Sequence, residues 1–197
     1  YLAAATALIW IALYYLPIGG AVFRLALPLP LILLQIRRGV KTGIEGVTIC
    51  VMLLTALMGP LRGPLVLFPY GFLSLWLGYS WQKGWNWWLS WSVGVSIGTM
   101  GFLIRVLVLS ILVGENLWVI LTRAGAGLLE KGIDIFNLSF TPDMRQVQVV
   151  ALFLIITQEI VYVLCLHALA YWIFPRLKSS IPEPPALLEN LISLESN

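Results

Sequence analysis

Residues 87–113 read WWLSWSVGVSIGTMGFLIRVLVLSILV, an unbroken apolar run in which Arg105 is the one ionisable residue. Crossing the hydrocarbon core takes about 20 apolar residues at 1.5 Å per residue, so this stretch is long enough to span a bilayer with tilt or to project beyond it. Backbone polar groups inside lipid must be satisfied within the chain, so a run of this kind is read as a helix.

Working outward, the same measure gives six spans. They cover about Leu2–Leu16, Val22–Ile36, Ile44–Met58, Leu65–Ser80, Trp87–Val113 and Val147–Phe174. The first is ended by Pro17 and the Gly19-Gly20 pair, and the second carries Pro28 and Pro30, which predict a kink or break. Composition agrees: of 197 residues 60% are hydrophobic and 11% charged, against about 25% charged in soluble domains. Mean hydropathy is +0.93. The expected fold is therefore an all-α integral membrane protein, a six-transmembrane-helix bundle over residues 1–174, followed by a polar cytoplasmic tail over 175–197. Leu187, Leu188, Leu191 and Leu194 give that tail the alternatives of a short surface helix or disorder. The chain opens at Tyr1 on apolar sequence without a methionine, which leaves room for residues ahead of it.

The connection 114–146 is the longest. Within it Leu117–Leu129, carrying Trp118 and Arg123 with Glu130 just after, reads as an interfacial helix or a re-entrant segment. Arg37, Arg38 and Lys41, then Lys83, then Arg176 and Lys178 all fall on one side of the six-span topology, which the positive-inside rule makes cytoplasmic, or stromal in an organelle. Both termini are expected there. Trp76, Trp81, Trp85, Trp87, Trp88 and Trp91 flank Lys83 as an interfacial belt. The net charge of +3 is topology signal rather than a nucleic-acid surface, and no nucleic-acid partner is expected. Cys50 and Cys165 lie in apolar stretches and read as buried free thiols.

Ionisable groups inside spans cost about 2.5–3.5 kcal/mol each on insertion scales and usually face the bundle interior. Arg105 lies about 12 Å and Glu159 about 18 Å from the outer ends of their spans, a difference that a long arginine side chain bridges. The two readings of that pair are a buried structural ion pair and the floor of an outward-facing ligand pocket. Around such a pocket the sequence places Arg24, Arg62, Glu115, Asn116 and Trp118, so the candidate ligand-binding set is Arg24, Arg62, Arg105, Glu115, Asn116, Trp118 and Glu159. His167 has neither a second histidine nor a cysteine pair at metal spacing, and reads as a packed or hydrogen-bonded histidine. No nucleophile with a base, no paired intramembrane carboxylates, no metal set and no P-loop is present, so neither an enzyme nor a cofactor is expected. Small residues are patterned: Ala3 and Ala7 share a face of the first span with Ala4 at its flank, and Gly94 and Gly98 form a GxxxG followed by Gly101. Close internal packing accounts for the glycines. The alanine face is a candidate for docking a partner subunit.

The run Leu2-Ala3-Ala4-Ala5-Thr6-Ala7, the turn Leu16-Pro17-Ile18-Gly19-Gly20, and Leu27-Pro28-Leu29-Pro30 leading to Arg37-Arg38-Gly39 carry a resemblance. The chain resembles the substrate-binding S components of energy-coupling factor transporters, together with a large uncharacterised six-helix family related to them and common in cyanobacteria. Met58-Gly59-Pro60, Pro69-Tyr70-Gly71 and Gly114-Glu115-Asn116-Leu117-Trp118 look like the uncharacterised branch. The resemblance covers about Leu2–Phe174 and implies a binding subunit without an ATPase. It implies that the small-residue face at Ala3, Ala4 and Ala7 docks on a transmembrane scaffold bearing two ATPases. It also implies a ligand, small organic or lipid-like, near the outer face beneath the loop Pro17–Phe23. The alternative from a different class is an accessory or assembly subunit of a larger membrane complex, with no substrate of its own.

Overall fold

A computed structural model describes residues 1–16, 19–135, 143–179 and 181–185, with only the backbone described for 128–135. Among these residues every regular element is helical and none is a strand: α1 (Leu2–Tyr15), α2 (Gly20–Ala26), α3 (Leu29–Arg38), α4 (Val40–Met58), α5 (Tyr70–Gln82), α6 (Trp87–Val113), α7 (Leu117–Ile135) and α8 (Met144–Ile173), with short 3-10 turns at Gly63–Leu67 and Pro175–Leu177.

Four stretches are long and apolar enough to cross a membrane: Gly20–Arg38, Val40–Met58, Trp87–Val113 and Met144–Ile173. The second expected span is thus one apolar stretch of two successive helices, α2 plus α3. Leu27 and Pro28 keep helical dihedrals, but Pro28 and Pro30 have no N–H to donate, so the hydrogen-bond ladder is interrupted there. The fourth expected span is shorter than its apolar run. Pro69 divides Leu65–Ser80, leaving the end of a 3-10 turn that starts ahead of it at Gly63-Pro64 and a 13-residue α5. With α1 at 14 residues, two of the six expected spans fall short of about 20 residues.

Packing follows the small residues. On α6, Gly94 lies against Val163 and Gly98 against Glu159, both on α8, while Gly101 lies against Pro69. The GxxxG is therefore an internal helix-crossing surface. On α3 the fully buried Gln35 is wedged between Gly43 of α4 and Gly78 of α5, and its Nε2 donates to the Leu75 carbonyl at 3.0 Å. Leu27, Ile32, Leu54, Leu73, Leu77 and Leu166 fill the centre and are wholly buried. The connection after α6 holds α7, which packs against α6 and α8.

One end of the bundle is tied together by the chain after α8. Arg37 donates to Ser179 Oγ at 3.2 Å and to the Leu177 carbonyl, Trp87 Nε1 donates to the Pro182 carbonyl at 2.7 Å, and Ile181 is buried. The start of the expected tail therefore belongs to the bundle. The leucines at 187, 188, 191 and 194 lie outside the described residues. The tryptophan belt is also revised: Trp81 and Trp87 are buried and sandwich His167 at ring distances of 5.0 and 5.2 Å, whereas Trp88 is exposed. Of the two cysteines, Cys50 is buried but Cys165 is exposed.

Candidate functional site

Glu159 lies midway along α8, on the face that meets α6 and α2, and is 1% exposed. Its partner is Arg24 on α2, with Nη2 donating to Oε1 at 3.0 Å, the one salt bridge among the described residues. This corrects the expected pairing with Arg105. α6 does pack on α8, but the residue it presents to Glu159 is Gly98, while Arg105 is turned to Trp10 of α1, and Arg24 of α2 lies beside α8 at the height of Glu159.

Arg24 is held from several sides. Its carbonyl accepts the Tyr162 hydroxyl at 3.0 Å, and its guanidinium lies 5.2 Å from the Tyr162 ring centre. In the amide orientation that satisfies both partners, Gln158 turns its side-chain oxygen to Nη1 and Nη2. Arg24 Nε and Glu159 Oε2 are buried and find no hydrogen-bond partner. A cleft of about 460 Å³ opens beside this group between α2 and α8, lined by Gly20, Ala21, Arg24, Leu25, Gln158, Val161, Tyr162 and Cys165. Tyr162 was not anticipated from sequence. Its signal was spacing, because Gln158, Tyr162 and Cys165 recur at i, i+4 and i+7 and share one stripe of α8.

The remaining candidates do not join this cleft. Arg105 stacks on Trp10 of α1 at 5.3 Å, Trp10 packs edge-on to Tyr70 at 5.7 Å, and Tyr70 packs edge-on to Tyr162 at 6.4 Å. A ladder of three aromatic rings thus separates Arg105 from Arg24, with a cation on the ring at each end. Arg62 lies over Tyr14 at 5.6 Å. Glu115, Asn116 and Trp118 line a different groove of about 550 Å³ between α6 and the start of α7, together with Ser110 and Val106. Asn116 accepts from the Val119 N–H and Ser110 Oγ from the Leu117 N–H, so both side chains serve the α7 N-terminus.

Ala3 and Ala7 are buried at 7% and 3%, while Ala4 and Leu8 are exposed. The alanine face of α1 is therefore occupied by this chain's own packing, because small side chains suit a close crossing between neighbouring helices within the bundle. His167 receives two partners, the Val163 carbonyl at 2.8 Å from Nδ1 and Ser90 Oγ at 2.9 Å from Nε2. The Val163 carbonyl can only accept, so Nδ1 donates to it, while Ser90 Oγ, which also reaches the Trp87 carbonyl at 3.0 Å, shares a hydrogen bond with Nε2. No group of three metal-ligating side chains exists among the described residues.

Long apolar helices, glycine-mediated crossings and a charge pair buried at mid-helix define a multi-pass α-helical membrane protein. The family described as predicted membrane protein (DUF2232) matches residues 3–190, and the chain belongs to it. No curated protein and no solved structure matches the chain.

Proposed function

We propose that this protein is the membrane-embedded substrate-capture subunit of a multisubunit, ATP-driven importer of the energy-coupling factor type, taking a small organic or lipid-like ligand. The observation that carries this reading is the Arg24–Glu159 pair beside the α2–α8 cleft, with the arginine side chain 30% exposed at the mid-height of a long apolar helix. Charges at that depth are expensive and by default mark a substrate path. The cleft volume falls within the roughly 300–1,000 Å³ of small-ligand sites. The role is binding rather than catalysis, and the energy comes from ATPase partners because the chain carries no phosphate-cradling loop.

Docking on the scaffold uses the outward side of α1, where Ala4 and Leu8 are exposed, instead of the buried Ala3 and Ala7. Partner-driven toppling of the bundle then hands the ligand over. Both termini lie on the cytoplasmic side of a bacterial inner or thylakoid membrane in this reading. The test is gentle purification of the tagged protein, wild type and Ala4→Trp, with mass spectrometry of what accompanies it. ATPases that come with wild type and are lost with Ala4→Trp at unchanged folding support capture.

The second reading, an accessory subunit of a larger membrane complex, draws on the wholly buried Leu27, Ile32, Leu73 and Leu166 at the centre of the bundle. Co-purification with unrelated membrane complexes, and with no ligand, would favour it.

A further inference from the structure

The α2–α8 cleft narrows the chemistry of the ligand. Its charge is one-sided: Arg24 is 30% exposed, while Glu159 is 1% exposed behind it. An entering group therefore meets the guanidinium before it meets the carboxylate. Of the five N–H groups of an arginine, those of Nη2 serve Glu159 and the amide oxygen of Gln158, Nη1 meets only that neutral oxygen, and Nε is unpartnered but buried, so the spare donor that an entering group can meet is on Nη1. Donor capacity is left over, in surroundings of low dielectric where a charge-assisted hydrogen bond is strongest. A cation would be repelled at the mouth and could not reach Glu159.

The walls are small or apolar: Gly20, Ala21 and Leu25 on α2, Val161 and Cys165 on α8. Val161 is 53% exposed and Gln158 and Cys165 are exposed too, so the stripe that edges the cleft lies on the outside of the bundle. It does so at the middle of α8, a 30-residue apolar helix. In a membrane that outside is hydrocarbon. A bare hydrated anion reaching this depth would shed its water at high cost, whereas one carried on an apolar chain arrives through the lipid with its tail already solvated.

We propose, resting on the capture reading, that the cleft binds the carboxylate or phosphate head group of an amphiphile that enters sideways from the bilayer. Arg24 is its counter-ion, Gln158 lies beside the head group, and the apolar chain lies along Val161 and Cys165. Two sources fit this chemistry, a free amphiphilic acid and an anionic membrane lipid.

The experiment is native mass spectrometry of the protein in a neutral detergent, offered dodecanoate, dodecanol and dodecyltrimethylammonium in turn. Wild type should retain dodecanoate over the other two by at least about tenfold. Arg24→Gln should lose it, but that change strands a buried carboxylate and endangers folding, so two further variants carry the test. Glu159→Gln removes the competing anion and should bind dodecanoate several-fold more tightly. Val161→Trp fills the cleft at an exposed position and should abolish binding with the melting temperature unchanged. Equal retention of all three probes, preference for dodecyltrimethylammonium, or weaker binding by Glu159→Gln would overturn the proposal.

Repeating the measurement from phosphatidylglycerol and phosphatidylcholine nanodiscs separates the two sources. Phosphatidylglycerol adducts that displace dodecanoate assign the site to a bilayer lipid, and their absence assigns it to a free acid. A neutral compound that accompanies wild type and is lost in Val161→Trp overturns the ligand class and leaves capture standing. Retention of no compound at all overturns both.

Discussion

Gly98 on α6 stands so close to the Glu159 carboxylate on α8 that a Cβ at position 98 would run into Oε2. The missing side chain is what lets an acid sit between two long apolar helices. Gly94, one turn earlier, gives the same room to Val163. The GxxxG of α6 therefore shapes the pocket for the buried charge as well as the helix crossing.

Gly98→Ala should lower the thermal unfolding temperature in detergent, with overpacking at such a site costing about 1–3 kcal/mol. Gly127→Ala on α7 is the control, because a Cβ there meets open space. It should leave stability unchanged or slightly raised, since alanine favours the helix by about 1 kcal/mol over glycine. Equal behaviour of the two variants would contradict the close contact.

The two intramembrane arginines should separate cleanly. Arg24→Ala leaves Glu159 buried without its counter-ion and should cost about 3–5 kcal/mol. Arg105→Ala removes a cation stacked on Trp10 and should cost about 0.5–2 kcal/mol. In a double-mutant cycle by detergent-denaturation titration, Arg24→Ala with Glu159→Ala should destabilise by clearly less than the sum of the single changes, whereas Arg105→Ala with Glu159→Ala should be additive.

His167 ties α8 to Ser90 of α6 within a slot made by Trp81 and Trp87. His167→Leu keeps much of the volume but strands the partners of both ring nitrogens. The expected loss is about 1–3 kcal/mol for the buried polar groups left unmade. Near-ultraviolet circular dichroism should change with it, because two buried tryptophans pack on the ring; an unaltered spectrum and melting temperature would remove His167 from the core.

Trp87→Phe keeps an aromatic ring but deletes the pyrrole half of the indole, and with it the N–H that reaches the Pro182 carbonyl. The hydrogen bond accounts for about 0.5–1.5 kcal/mol of the loss, to which the vacated core volume adds, and the segment after α8 should be cleaved faster at Arg176 and Lys178 in limited trypsin digestion. Cleavage at the wild-type rate would mean that this hydrogen bond does not hold the segment.

Much of the helical layout is legible in the residues because its cause is local. Apolar runs of sufficient length dictated α4, α6 and α8, and the prolines at 28 and 30 dictated the interruption between α2 and α3. The fourth expected span, Leu65–Ser80, yields a 13-residue α5 because hydropathy does not register what Pro69 does to a helix. At the candidate site, Arg24 and Glu159 stood out as charges in apolar sequence, but their pairing did not, and Tyr162 was hidden by its ordinariness.

What the sequence by itself determined is a chain of apolar helices built for lipid, with few charges inside them, since hydropathy, length and proline act along the chain. Tertiary structure alone decided that Arg24, not Arg105, neutralises Glu159, that Ala3 and Ala7 face inward, and that Cys165 edges a cleft while Cys50 is buried. Those outcomes depend on which helices lie side by side and how each is turned about its axis. Both are fixed by packing between segments distant in sequence, and no local pattern encodes them.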